Sequence, residues 1–171
     1  CIQNRERSKN RLWTVMRAGL IIGKGTGERG LIDTQRRMHM DYTSKIAVGM
    51  THEAVDTVTD ANTAVTVGSG SLAVYATPAM AALMERAAAE LCQQECPEGW
   101  TTVGTELHIK HRAATPTGLT VRAIAEVTAV DGRAISLKVT AYDEREEIGS
   151  GTHARFAVAV EKFMAKAEGK R

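Results

Sequence analysis

The longest regular pattern in the chain runs from Thr77 to Cys96, "TPAMAALMERAAAELCQQEC". At about 100° per residue, Met80, Leu83, Met84, Ala87, Ala88 and Leu91 share one broad apolar face. Arg86, Glu90, Gln93 and Gln94 fall in a narrow polar stripe. Most of the segment consists of good helix formers. Pro78 suits a first turn because the N–H it lacks would have no helical acceptor, and the Thr77 hydroxyl is placed to cap. The pattern predicts a largely buried helix over residues 78–95. Glu85 interrupts it, falling among Ala81, Ala89 and Cys92, away from the polar stripe. A carboxylate on that side must either lose hydration or find a specific partner.

Around this helix the pattern changes to period two. Residues 50–60 and 62–76 are Thr/Val-rich and predict short strands broken by "GSG". "CPEGW" ends the helix, and four strands are predicted after it, at 101–113, 119–130, 133–144 and 149–162. Leu119, Val121, Ala123, Ala125 and Val127 alternate with polar residues, as do Ile135, Leu137, Val139 and Ala141. "VDGR" at 130–133 is a hairpin signal. A helix that is greasy on most of its circumference, followed by an antiparallel meander, requires a curved sheet wrapped round it. The expected class is α+β, with the hot-dog arrangement. One such sheet leaves an edge strand and part of the helix uncovered, so a homodimer is expected.

Composition limits the function classes. The 171 residues carry a net charge of +2, enough length for one domain with a proper core. No stretch has the roughly 20 apolar residues of a membrane-spanning helix, and no membrane association is expected. Three cysteines (Cys1, Cys92, Cys96) lack metal-ligand spacing and are expected as reduced thiols in a cytoplasmic protein. No metal or cofactor is called for. Charge is uneven: residues 1–39 hold nine Lys/Arg against three Asp/Glu. Residues 1–40 therefore read as a basic tail, 45–165 as the folded domain and 166–171 as a short basic C-terminal tail. "GTGERG" (Gly25 to Gly30) matches a dinucleotide-binding spacing, but neither a strand before it nor a suitable helix after it is predicted. The basic tail has few aromatics interleaved, and no nucleic-acid partner is expected.

The candidate chemistry lies near the helix. In "GTELHIKH" (Gly104 to His111), alternation puts Thr105, Leu107, Ile109 and His111 on the core face, with Glu106, His108 and Lys110 outward. An inward Glu85 and an inward His111 can be partners, one a base or nucleophile and the other its orienting group. Thr77 offers a hydroxyl beside the free N–H groups of a helix start. About 12 Å of helix rise separates Thr77 from Glu85. Either Thr77 lies on a loop that folds back, or one site draws on two subunits. "IGSGTH" (Ile148 to His153) reads as a β-bulge. Arg112, Arg155 and Lys162 are candidate cations for phosphates.

From about Val48 to Lys166, the chain resembles the fluoroacetyl-CoA thioesterase family of hot-dog proteins. The resemblance rests on "ATPAMAALME", "VGTELHIKHRAATPTGLTV" and "EIGSGTHARFAV" followed by "EKFMAK". It implies hydrolysis of a small acyl-CoA thioester by a Thr–Glu–His set, falling here on Thr77, Glu85 and His111, with a backbone contact to the acyl group at Gly104. Tyr75 and Arg112 are the further substrate-binding candidates. The family's fluoroacetate-specific member has a Phe-rich lid between the first strand and the helix. Here Tyr75 is the only aromatic in that region, so the chain departs from the family's fluorine-sensing element. The rival readings are a non-catalytic hot-dog module that binds acyl-CoA or another small hydrophobic ligand, and a hydratase of the same fold. The second lacks the helix-start Asp/His motif expected of it.

Overall fold

The computed structural model describes residues 45–171; the basic segment 1–40 and its "GTGERG" lie outside them. Five strands form one antiparallel sheet: β1 (Thr51–Thr57), β2 (Trp100–His111), β3 (Thr120–Asp131), β4 (Ala134–Tyr142) and β5 (Glu147–Ala159). Their spatial order is β1-β3-β4-β5-β2. The long helix α2 (Thr77–Gln93) joins β1 on one edge to β2 on the other, and the sheet curls around it. Met80, Leu83, Met84, Ala87, Ala88 and Leu91 are buried, as the helical wheel requires. They share one core with the inward rows Val121–Val127 of β3 and Ile135–Ala141 of β4. The two-residue hairpin turn is Gly132–Arg133, where Gly132 takes φ 55°.

Two predicted elements and the facing of one residue differ. The stretch 62–76 is not a strand but a 3-10 turn (Asp60–Asn62) and a short helix α1 (Ala64–Val67), linked by isolated bridges Thr63↔Tyr75 and Val74↔Pro116. Local side-chain bonds outcompete a ladder here. Thr59 N–H donates to Asn62 Oδ1 (2.8 Å), Thr63 Oγ1 donates to the Asp60 carbonyl (3.0 Å), and Gly68 ends α1 at φ 78°. The last strand stops at Ala159, and helix α3 (Val160–Glu168) follows, so residues 166–168 continue a helix. Thr105 is exposed rather than facing the core, because the β2–β5 register shifts between Gly104 and Glu106 and flips it outward. A second irregularity falls at Ile148, at the start of the "IGSGTH" stretch.

The glycines of that stretch answer to close packing. A Cβ on Gly151 would overlap the His108 carbonyl, and one on Gly149 would sit 2.7 Å from both the Lys110 carbonyl and the Met80 side chain. Among the described residues, no helix is long and apolar enough to cross a membrane, and no His/Cys/Asp/Glu cluster could hold a metal ion.

Candidate active site

The start of α2 is clamped from two sides. Tyr75 N–H donates to the Thr115 carbonyl (2.8 Å) and Ala76 N–H to the Asn62 carbonyl (3.0 Å). Ala76, not Thr77, is the N-cap, and Thr77 is the first helical residue. Its hydroxyl is therefore not spent on capping. Instead Thr77 Oγ1 lies 2.9 Å from His111 Nδ1, at the end of β2. His111 is held there because the next residue, Arg112, donates its N–H to the Ile148 carbonyl (2.8 Å).

Thr77 and His111 line a cavity of about 270 Å³, walled by Ala64, Val74, Ala113 and Ala114. His111 Nε2 is buried without a hydrogen-bond partner among the described residues. Burial pushes the His111 pKa below its ordinary 6.5, partly offset by the Ala113 backbone. The imidazole is thus neutral at neutral pH, with one nitrogen tied to a hydroxyl and the other uncommitted. Such a pair can polarise the Thr77 hydroxyl or take a proton from a bound nucleophile.

Glu85 sits two turns further along α2. Its side chain is not desolvated as the wheel suggested but is 47% exposed, because a single sheet leaves this side of the helix open. Oε1 lies 3.8 Å from Nε2 of His153, whose side chain is fully enclosed. Gly104 makes the room, since a Cβ there would come within 2.6 Å of Glu85 Oε1 and 3.1 Å of His153 Cε1. The carboxylate therefore rests over bare backbone beside the β2 bulge.

One chain thus holds two clusters. Thr77 meets His111, whereas Glu85 meets Gly104 and His153. Because Thr77 is helical, no folded-back loop brings it to Glu85. Tyr75 is 1% exposed and lines the cavity. Its hydroxyl has no partner among the described residues, and burial followed by the Asp56 carboxylate keeps the phenol protonated far above neutral pH. Arg112 is exposed at the cavity rim and paired to Glu147 (2.8 Å).

Sequence reasoning missed His153 and misplaced Arg155. Arg155 is only 7% exposed and lies inside, not on a phosphate-binding surface. The signal was present, because His153, Arg155 and Ala157 continue the inward row of β5 at period two. Lys162, on α3, is exposed.

A family model described as fluoroacetyl-CoA-specific thioesterase matches residues 58–161. The chain belongs to this family. A fluoroacetyl-CoA thioesterase of Streptantibioticus cattleyicolor is 45% identical over 93 residues, which cover 54% of this chain and 67% of that protein. A solved structure of the fluoroacetyl-CoA thioesterase FlK aligns with a TM-score of 0.71 at 35% identity, covering 75% of this chain and 99% of that one. A hot-dog-like protein from Thermanaerovibrio acidaminovorans aligns with a TM-score of 0.70 at 25% identity, over 77% of this chain and 97% of that one. The curled antiparallel sheet around α2 is the hot-dog fold of this thioesterase family.

Both inward histidines are held below their ordinary pKa, burial being the larger cause in each. Above pH 6.5 they are neutral in the folded and unfolded chain alike. As pH falls below 6.5, the unfolded chain takes up protons that the folded one resists, so stability declines. Each contributes at most about 1.4 kcal/mol per pH unit. Urea midpoints should be lower at pH 5.5 than at pH 7.5 by this route, and a flat or rising profile would contradict the assignment.

Proposed function

We propose that the chain hydrolyses short acyl-CoA thioesters to the free acid and CoA, using Thr77, Glu85 and His111. The observation that carries this reading is the Thr77–His111 contact inside a small, aliphatic-walled cavity at a helix N-terminus. A thioester carbonyl docked there has the first-turn N–H groups of α2 available for its developing oxyanion. In the overall reaction an oxygen nucleophile adds to the carbonyl carbon, the C–S bond breaks, and sulfur leaves as the CoA thiolate to be protonated. Glu85 serves either as that nucleophile or as the base that takes a proton from water. His111 positions the water or manages the thiol proton, and the Gly104 backbone contacts the acyl group.

A homodimer completes the site. One subunit supplies Thr77 and His111, and the other supplies Glu85 over Gly104. The open side of α2 carrying Glu85 and the edges of β1 and β2, which no strand among the described residues pairs, support this assembly. Arg112 and Tyr75 border the acyl and CoA path, and the enzyme works in the cytoplasm without a cofactor.

The test is thiol release from a series of acyl-CoAs. The reading expects short acyl groups, acetyl to butyryl, to be preferred, with kcat/KM falling as the chain lengthens. Tight binding of CoA esters without thiol release would instead make the chain a ligand-binding module.

A further inference from the structure

The proposed reaction gives no role to His153, whose side chain is fully buried. His153 Nδ1 lies 2.7 Å from the Glu106 main-chain oxygen. A carbonyl only accepts, so Nδ1 carries the proton. Nε2 lies 3.1 Å from Arg155 Nη1, and a guanidinium only donates, so Nε2 is bare. Two neighbours on different ring atoms thus require the same neutral tautomer.

Thr102 holds Arg155 through two further bonds. Nε donates to Thr102 Oγ1 (2.9 Å) and Nη2 to the Thr102 carbonyl (2.8 Å). Nη1 also approaches the Glu85 main-chain carbonyl (3.5 Å). Imidazole and guanidinium together form the floor beneath the Glu85 turn of α2.

We propose that His153 is a positioning residue. In its Nδ1-protonated neutral form it holds Arg155 under α2 and leaves the Glu85 carboxylate uncommitted for the thioester. This rests on the functional reading above, which makes Glu85 the reacting carboxylate.

A proton on Nε2 reverses both effects. It places a donor against the Arg155 donor, so that bond is lost and two cations face each other. The imidazolium also stands 3.8 Å from Glu85 Oε1 and draws it into an ion pair. The charged and titratable groups around His153 come from three elements. Helix α2 brings Glu85 and, against Arg155, the Cys92 thiol; β5 brings Arg155 itself. From β2 comes the Glu106 carbonyl, while the Glu106 carboxylate is turned outward to His108 (2.8 Å). The β4 residue paired with His153 is Leu137, which adds no charge. Burial, with Arg155 adding to it, keeps His153 below its ordinary range, against the pull of Glu106 and Glu85.

The experiment compares His153→Asn and His153→Gln with the wild-type enzyme. Asn can still donate to the Glu106 carbonyl but falls short of Arg155, whereas the longer Gln can place its oxygen near the Nε2 position. Steady-state kinetics from pH 5 to 8 should show kcat for His153→Asn about tenfold lower or more, with KM nearly unchanged. His153→Gln should recover most of that loss, and the acid limb of the wild-type kcat profile should flatten in both variants. Side-chain ¹⁵N spectra of the wild-type protein should show His153 protonated at Nδ1 and bare at Nε2 at neutral pH. A folded His153→Asn variant with wild-type kcat and pH profile overturns the proposal, as does a protonated Nε2. The spectrum is independent of turnover. If the wild-type chain releases no thiol, the functional reading fails, while a bare Nε2 still supports the hold on Arg155.

Discussion

Glu85→Gln is expected to lower kcat for thioester hydrolysis by at least about a hundredfold, the lower end of what a positioned base contributes. KM should barely move and the fold should survive. Gln is close to Glu in shape, and the side chain is 47% exposed with no hydrogen bond to lose to His153 at 3.8 Å. A substitution of that kind costs stability only about 0.5 kcal/mol or less. What it removes is the negative oxygen, which both roles require: an amide neither adds to a carbonyl to form an anhydride nor accepts a proton from water. Thiol release would be followed on the best acyl-CoA, with urea unfolding as the control for folding. Turnover near the wild-type rate in a folded variant removes Glu85 from the mechanism. Single turnover of the wild-type enzyme in ¹⁸O water tests direct attack, because hydrolysis of an anhydride at the Glu85 carbonyl leaves label in that carboxylate, whereas base catalysis puts it only in the released acid.

Mixing two dead variants should restore activity. If Thr77 and His111 of one subunit work with Glu85 of the other, then His111→Ala and Glu85→Gln each disable every site of their own homodimer. In a mixed dimer, one site inherits both lesions and the other inherits none. Random exchange makes half the dimers mixed, so about a quarter of wild-type activity should return. The geometry motivates the experiment, because within one chain Thr77 lies 2.9 Å from His111 while Glu85 lies against Gly104 and His153. The readout is thiol release after co-refolding equimolar variants, with each variant alone as the baseline. If subunits exchange and activity stays at baseline, each site is built from a single chain.

The apolar rows of α2, β3 and β4 were legible because their periods of 3.6 and 2 are long and uninterrupted. His111 was legible for the same reason, being the last inward position of a strand that alternates cleanly from Leu107. Residues 62–76 were not. Their Val and Thr content suits a strand, but Asn62 and Thr63 bind nearby backbone, and no periodicity shows such local competition. Thr105 was misplaced because it is itself the unpaired residue of the bulge, an insertion that alternation does not show. Glu85 was singled out by its place away from the polar stripe of the wheel, yet its surroundings were misjudged. A wheel reports which residues share a side, not whether a sheet covers that side. Arg155 was read as a surface cation because charge usually stays in water. Its burial depends on acceptors from Thr102, fifty-three positions away in sequence, and from a neutral histidine.

The sheet order also bears on how the chain assembles. Strands β3, β4 and β5 are consecutive neighbours joined by short turns, so their pairing closes small loops and can begin early. Strand β2 precedes them in sequence but, among the described residues, pairs with β5 alone, Trp100 opposite Ala159, across the whole meander. Its docking closes a long loop and must wait for that template. His111, Gly104 and the Glu106 carbonyl that orients His153 all ride on this late-arriving strand. A nascent chain can therefore bury much of its core before it possesses the proposed reactive centre.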